Sequence, residues 1–182
     1  QLYENNGVIK RSEVDKIVKS IPAEERKKLW GMGVKIGRYH IYLPKMLKPK
    51  AVEFRISLWN IFYGLANKNE MPKSGLNFLI NSNFEKNFLL LCGFEKFKEF
   101  YVRIDILEKL FLKIIDSTKD RKFKINAEMM NLLGCSKENF YKLMNYMNYK
   151  KDKSIDTYVF RGEKKRKEKI IQFDKKENPF KK

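Results

Sequence analysis

Residues 127–148, AEMMNLLGCSKENFYKLMNYMN, read as two short helices around a tight turn. Gly134 stops the first, Ala127–Leu133, because glycine takes the left-handed conformation that ends a helix without steric cost. Ser136, with Asn139 three residues on, supplies an N-cap for the second, Lys137–Asn148. Phe140, Leu143, Met144 and Met147 recur at helical spacing and face a core. Upstream, Ile104, Leu107, Leu110, Phe111, Ile114 and Ile115 line one face of a helix over Asp105–Ser117, followed by a short extended piece at Lys122–Ile125. Downstream, a lysine-rich turn leads into an alternating strand, Ile155–Phe160.

Helix, strand, helix, tight turn, helix, strand is the order of a winged helix-turn-helix. In that fold the second helix of the turn lies in a nucleic-acid groove and the wing touches phosphate. On this reading Lys137, Asn139, Lys142 and Asn145 face outward, with Tyr141 beside them, and Lys150, Lys151 and Lys153 occupy the wing. Lysines would position the unit on phosphates and asparagines would reach base edges. Three-helix units of this shape also serve as bare scaffolds, so a purely structural role stays open.

The N-terminal third is read the same way. Val14, Ile17 and Val18 form a helical stripe. Pro22 opens a second helix, which Gly31 and Gly33 end. Val34–Leu43 alternates as a strand, with a slip near Gly37 that a bulge or a turn between two short strands would make. Pro49 starts a helix to about Leu65, with Ala51, Phe54, Leu58, Ile61, Phe62 and Leu65 as its apolar face and Arg55 snorkelling beside it. Trp30 and Trp59 are read as core. Residues 66–82, poor in apolar anchors, read as a surface connection. Phe84–Leu91 reads as a short helix, and Phe94–Tyr101 is ambiguous between strand and loop.

The expected architecture is mainly α with short β elements, an α+β class. Residues 1–66 form a helical unit with a short strand, 67–101 a connecting segment, 102–160 a winged-helix-like unit and 161–182 a basic, disordered tail. No internal repeat is visible before that tail. Lys164, Lys165, Arg166 and Lys167 within it are further candidates for phosphate contact.

Composition narrows the function. Forty basic against twenty-two acidic residues give a net charge of +18, a field that attracts polyanions. Apolar residues at 43% suffice for a packed core, and no apolar run approaches a membrane span. Two cysteines and one histidine cannot complete a four-ligand zinc site; the thiols read as the buried, reduced cysteines of a cytoplasmic protein. No phosphate-cradling GxxxxGK[ST] loop occurs. The glycines of residues 31–37 follow a helix and enter a strand, the reverse of a dinucleotide fingerprint. His40 has no nucleophile motif near it. The segment by itself reads as non-catalytic and without a cofactor.

Several islands carry a resemblance. Met32-Gly33-Val34-Lys35-Ile36-Gly37, the run from Tyr42 to Pro49 (YLPKMLKP), Arg55-Ile56-Ser57-Leu58-Trp59, the run from Val102 to Leu110 (VRIDILEKL) and Leu132-Leu133-Gly134-Cys135-Ser136 occur in one order. Together the stretch resembles the C-terminal region of alphaproteobacterial superfamily-2, DExH-type helicases related to mitochondrial RNA-degradation helicases. The resemblance implies an ATP-dependent helicase, a hydrolase, whose ATP and Mg sites lie in upstream motor domains of the same polypeptide. Gln1 in place of methionine and a length of 182 residues fit such a fragment. No catalytic residue is carried over. The expected partner is RNA or DNA, with no membrane. The alternatives are a stand-alone winged-helix regulator of duplex DNA and a protein-interaction scaffold.

Overall fold

The computed structural model describes residues 1–64, 72–73, 75–80, 84–152 and 156–160. Among these, helices alternate with three small antiparallel sheets, an α+β fold as expected. The first unit runs β1 (Val8–Lys10), α1 (Arg11–Ser20), α2 (Ala23–Gly31), β2 (Lys35–Ile36) and β3 (His40–Tyr42), with sheet order β1-β3-β2. A 3-10 turn at Pro44–Leu47 leads into α3 (Pro49–Phe62). The second unit adds β4 (Phe78–Ile80), α4 (Lys86–Leu91), β5 (Phe94–Phe97) and β6 (Phe100–Arg103), ordered β4-β6-β5. The third comprises α5 (Ile104–Ser117), β7 (Lys122–Lys124), α6 (Ala127–Leu133), α7 (Lys137–Tyr146), β8 (Tyr149–Lys151) and β9 (Thr157–Phe160), ordered β7-β9-β8.

One topology therefore recurs three times. Each unit lays down a strand, one or two helices and a hairpin, and the last strand inserts between the other two. Helix α3 precedes the second unit, and α5 opens the third ahead of its first strand. This repeat is invisible in the sequence, and residues 67–101, expected as a connection, hold most of the second unit. The ambiguous Phe94–Tyr101 is a hairpin, turned at Lys98 with φ +51°.

Strand alternation joins the second and third units. Successive side chains of a strand point to opposite faces, so Tyr101 packs with Val52, Phe88 and Phe94 while Phe100 and Val102 enter the core of α5, α6 and α7. The third unit matches its sequence reading closely. Asn126 caps α6 through the Met129 N–H, Gly134 ends it at φ +67°, and Ser136 caps α7 through the Asn139 N–H. The differences are that Ile115 is half exposed and Ile106 buried instead, Phe111 is only partly buried, α7 ends at Tyr146, and the expected lysine-rich turn includes strand β8.

Helix α3 turns the other way from its expected orientation. Val52, Arg55, Ile56 and Asn60 are buried, while Phe54, Leu58, Ile61 and Phe62 are exposed, Ile61 at 78%. Arg55 does not snorkel. It is 3% exposed and donates from Nη1 to the Asn6 carbonyl at 2.8 Å. Burial holds its guanidinium down to about 10 and pushes the neighbouring Cys92 thiol up to about 12. Trp59 is half-buried in the second core as expected, but Trp30 is 64% exposed.

All three units meet at one polar cluster. Residues 37–39 form the turn between β2 and β3, the second of the two forms the slip near Gly37 allowed. Glu108, from α5, accepts the main-chain N–H groups of Arg38 (2.6 Å), Tyr39 (2.8 Å) and His40 (3.0 Å). His40 Nε2 lies 2.9 Å from Glu95 Oε2 on β5, and Lys10 Nζ of β1 lies 2.8 Å from Glu95 Oε1. His40 Nδ1 lies 3.8 Å from Glu108 Oε1, beyond hydrogen-bonding distance, so that contact is purely electrostatic. A carboxylate on three N–H donors is a charge-assisted cap, stronger than neutral pairs. It also dictates Gly37, where any Cβ would overlap the Glu108 carboxylate.

Two outcomes follow from this cluster. Gly37→Ala should destabilise the chain by about 1–3 kcal/mol, the usual cost of overpacking, read as a lower urea midpoint. The second concerns pH. Burial alone would lower the His40 pKa, but Glu108 and Glu95 outweigh it and hold it above the ordinary imidazole range. The protonated form is thus favoured by folding, and its contribution is complete below a pH of about 6.5. Stability should fall as pH rises through the raised folded pKa, and His40→Gln should flatten that slope.

Candidate nucleic-acid interface

The sequence-designated residues of the third unit gather where α7 meets the β8–β9 hairpin. Tyr141 is their centre. Its hydroxyl donates a hydrogen bond to Asp156 Oδ1, just before β9. Lys137 Nζ, one helical turn back, sits 5.5 Å from the Tyr141 ring centroid and 3.5 Å from Asp156 Oδ2. Lys151 Nζ, from β8, lies 5.6 Å from the same ring. Helix spacing i, i+4 brings Lys137 to Tyr141, and the hairpin brings Lys151. The result is an aromatic face flanked by two ammonium groups, the geometry of cation–π contact.

The electrostatics agree. The Tyr141 hydroxyl holds the Asp156 carboxyl below the usual aspartate range against the opposing effect of burial, and Lys137 and Lys151 add to it. Tyr141 and Asp156 in turn raise Lys137, which favours its charged form.

The remaining candidates divide. Lys142 is exposed but pairs with Glu138 at 2.9 Å, an i, i+4 bridge at a fully solvated site worth little. Asn145 and Lys150 are exposed and free to face a ligand. Asn139 is half-buried, and its main-chain N–H makes the helix cap with Ser136, so of the set it is less open to a ligand than Asn145. Lys153, Lys164, Lys165, Arg166 and Lys167 lie outside the described residues.

Sequence reasoning missed one contributor. Lys98, at the β5–β6 turn, places its Nζ 4.4 Å from the Tyr146 ring centroid, while the Tyr146 hydroxyl donates to Glu99 at 2.8 Å. The second unit's turn thus abuts the C-terminal end of α7 and adds a cation there. Only the alternation of phenylalanine with charged residues over 94–100 hinted at a hairpin, and nothing in it pointed to α7.

Chemically, this surface offers two ammonium groups beside a partly buried aromatic ring, a set that can hold phosphate. It has no nucleophile–base pair among the described residues. His40 and its glutamates resemble acid–base machinery, but the imidazole is 1% exposed. No group of three or more His, Cys, Asp or Glu among the described residues could hold a metal. Nor is any helix among them long and apolar enough to cross a membrane. Comparison with protein families, curated proteins and solved structures gave no match to the chain.

Tyr141→Phe keeps the ring and removes the hydroxyl that holds Asp156. The Asp156 carboxyl, followed by NMR titration, should then move back up towards the ordinary aspartate range, and the fold should persist.

Proposed function

We propose that this chain is the C-terminal accessory region of an ATP-dependent RNA or DNA helicase, gripping nucleic acid with its third unit. The observation that carries this reading is the placement of Lys137 and Lys151 around Tyr141, at the junction of the second helix of a helix-turn-helix and its wing. ATP and Mg belong to motor domains upstream in the same cytoplasmic polypeptide. The five ordered sequence islands support that context, and the net charge of +18 supports a polyanionic partner.

Within the third unit, β8 and its lysines would lie along phosphates while α7 presents Asn145 and Tyr141 to bases. Phosphate contacts set position, and base contacts set preference. A surface built on one aromatic and several lysines favours grip over sequence reading, which suits a strand leaving a motor.

A second reading, a protein-docking scaffold, draws support from the outer face of α3, where Phe54, Leu58, Ile61 and Phe62 are exposed. Persistent solubility without nucleic-acid affinity would favour it. Dimerisation with a palindromic duplex site would favour a regulator.

Fluorescence anisotropy with labelled single-stranded RNA and DNA over a salt series provides the test. Log affinity should fall linearly with log salt. Combined Lys137→Ala, Lys150→Ala and Lys151→Ala should reduce the slope by about 2, at roughly 0.7 per phosphate contact on a single strand. An unchanged slope, salt-independent binding or no binding at low salt would each count against the proposal.

A further inference from the structure

Helix α2 has almost nothing to hold it. Of its nine residues none is buried, and only Leu29 is half-covered. A helix exposed all round must find support elsewhere. Part of that support is Arg26, whose Nε donates to the Ile21 carbonyl at 2.9 Å and whose Nη2 donates to the Val18 carbonyl at 3.1 Å, capping the end of α1. Arg26 is therefore structural. The other cations of this region, Lys27, Lys28 and Lys35, are exposed.

The exposed helix ends in apolar residues. Trp30 is 64% exposed and Met32 76%. An open tryptophan costs solvation, since its indole is among the largest apolar surfaces available. Here Lys35 Nζ, from β2, lies 4.9 Å from the ring centroid.

This arrangement repeats the one in the third unit. By the shared topology, α2 occupies the place of α7, and β2 the place of β8. In both units an aromatic side chain on the helix before the hairpin lies beneath a lysine from the hairpin's first strand: Tyr141 under Lys151, and Trp30 under Lys35. The chain thus sets an aromatic ring beside a hairpin lysine in both units, with Trp30 exposed near the end of its helix and Tyr141 mid-helix and partly packed on the core.

We infer that Trp30, with Lys27, Lys28 and Lys35, forms a second contact site for single-stranded nucleic acid, in which a base stacks on the indole and the lysines take the flanking phosphates. The site rests on the nucleic-acid reading of the third unit and extends it from one platform to two. Single-stranded ligand is the fitting class because a solvent-open indole offers a π-face, which any unpaired base can use and a base paired in a duplex cannot. The acidic residues of α2 do not oppose it. Glu24 and Glu25 sit in the first turn, where they complement the helix dipole. Trp30 lies six residues beyond Glu24, about 9 Å along the axis.

The two tryptophans differ in exposure, which makes the site directly readable. Binding of an unlabelled single-stranded oligonucleotide to the whole chain should quench indole emission. The quench should survive Trp59→Phe and vanish in Trp30→Phe. Trp30→Ala should weaken affinity roughly 5- to 150-fold, the range of one lost base–aromatic stack, with the salt slope unchanged. Trp30→Phe, which keeps a ring, should recover most of that loss. Circular dichroism checks that each variant is folded. If the wild type binds but Trp30→Ala binds equally well, or the quench persists in Trp30→Phe, the second site is overturned and the third-unit reading stands. If the wild type fails to bind at low salt, both fall together.

Discussion

The Glu108 carboxylate leaves the first helix of the third unit and accepts three consecutive main-chain N–H groups from the first unit's hairpin. The same hairpin carries His40 against Glu95, which belongs to the second unit. A buried charge is costly unless its hydrogen-bonding capacity is met, and the hairpin must adopt this one turn to meet it. Register between the units is thereby specified by a polar contact, which apolar packing alone would leave looser. Ile104, packed with Val8 and Tyr42 beside it, supplies the apolar part of the same junction.

Fixing that hairpin has a consequence for the surface. Strand β2 carries Lys35 and follows directly from α2, so the Trp30 platform is tied through the hairpin to α5. Helix α5 in turn packs in one core with α6 and α7, which carry the Tyr141 platform. A strand held by both would meet a preset geometry and lose less binding energy to ordering of the protein. Two modest contacts on a rigid frame also raise each other's effective concentration. The junction thus connects the fold's internal chemistry to what its exterior can hold.

The third unit was legible in the sequence because its signals are local. Gly134, Ser136 and the stripe from Phe140 to Met147 each act within a turn or two of chain. The second unit was obscured because β4 is three residues long and α4 six, too short for periodicity to show. Helix α3 misled for a different reason: it is apolar on two faces, and the buried one contains Arg55 and Asn60. A pattern that seats polar residues inward is set by tertiary partners, here the Asn6 carbonyl, that no local rule anticipates. Trp30 misled in the same way, since tryptophan is usually core. The repeated topology escaped because it resides in strand order, which no local sequence pattern carries. Of the interface, the lysines and Tyr141 were legible from helix and wing positions. Their clustering through Asp156, and the approach of Lys98, needed three dimensions.

On the proposed function, binding is confined to built platforms and is not the property of a lysine-coated surface. Amide and indole NMR shifts of the whole chain, recorded while a single-stranded oligonucleotide is added, test this most directly. The account predicts that perturbations concentrate on α7, β8 and the Trp30 indole, with little change on the outer faces of α1 and α3. Shifts spread evenly over exposed lysines on every face would contradict it.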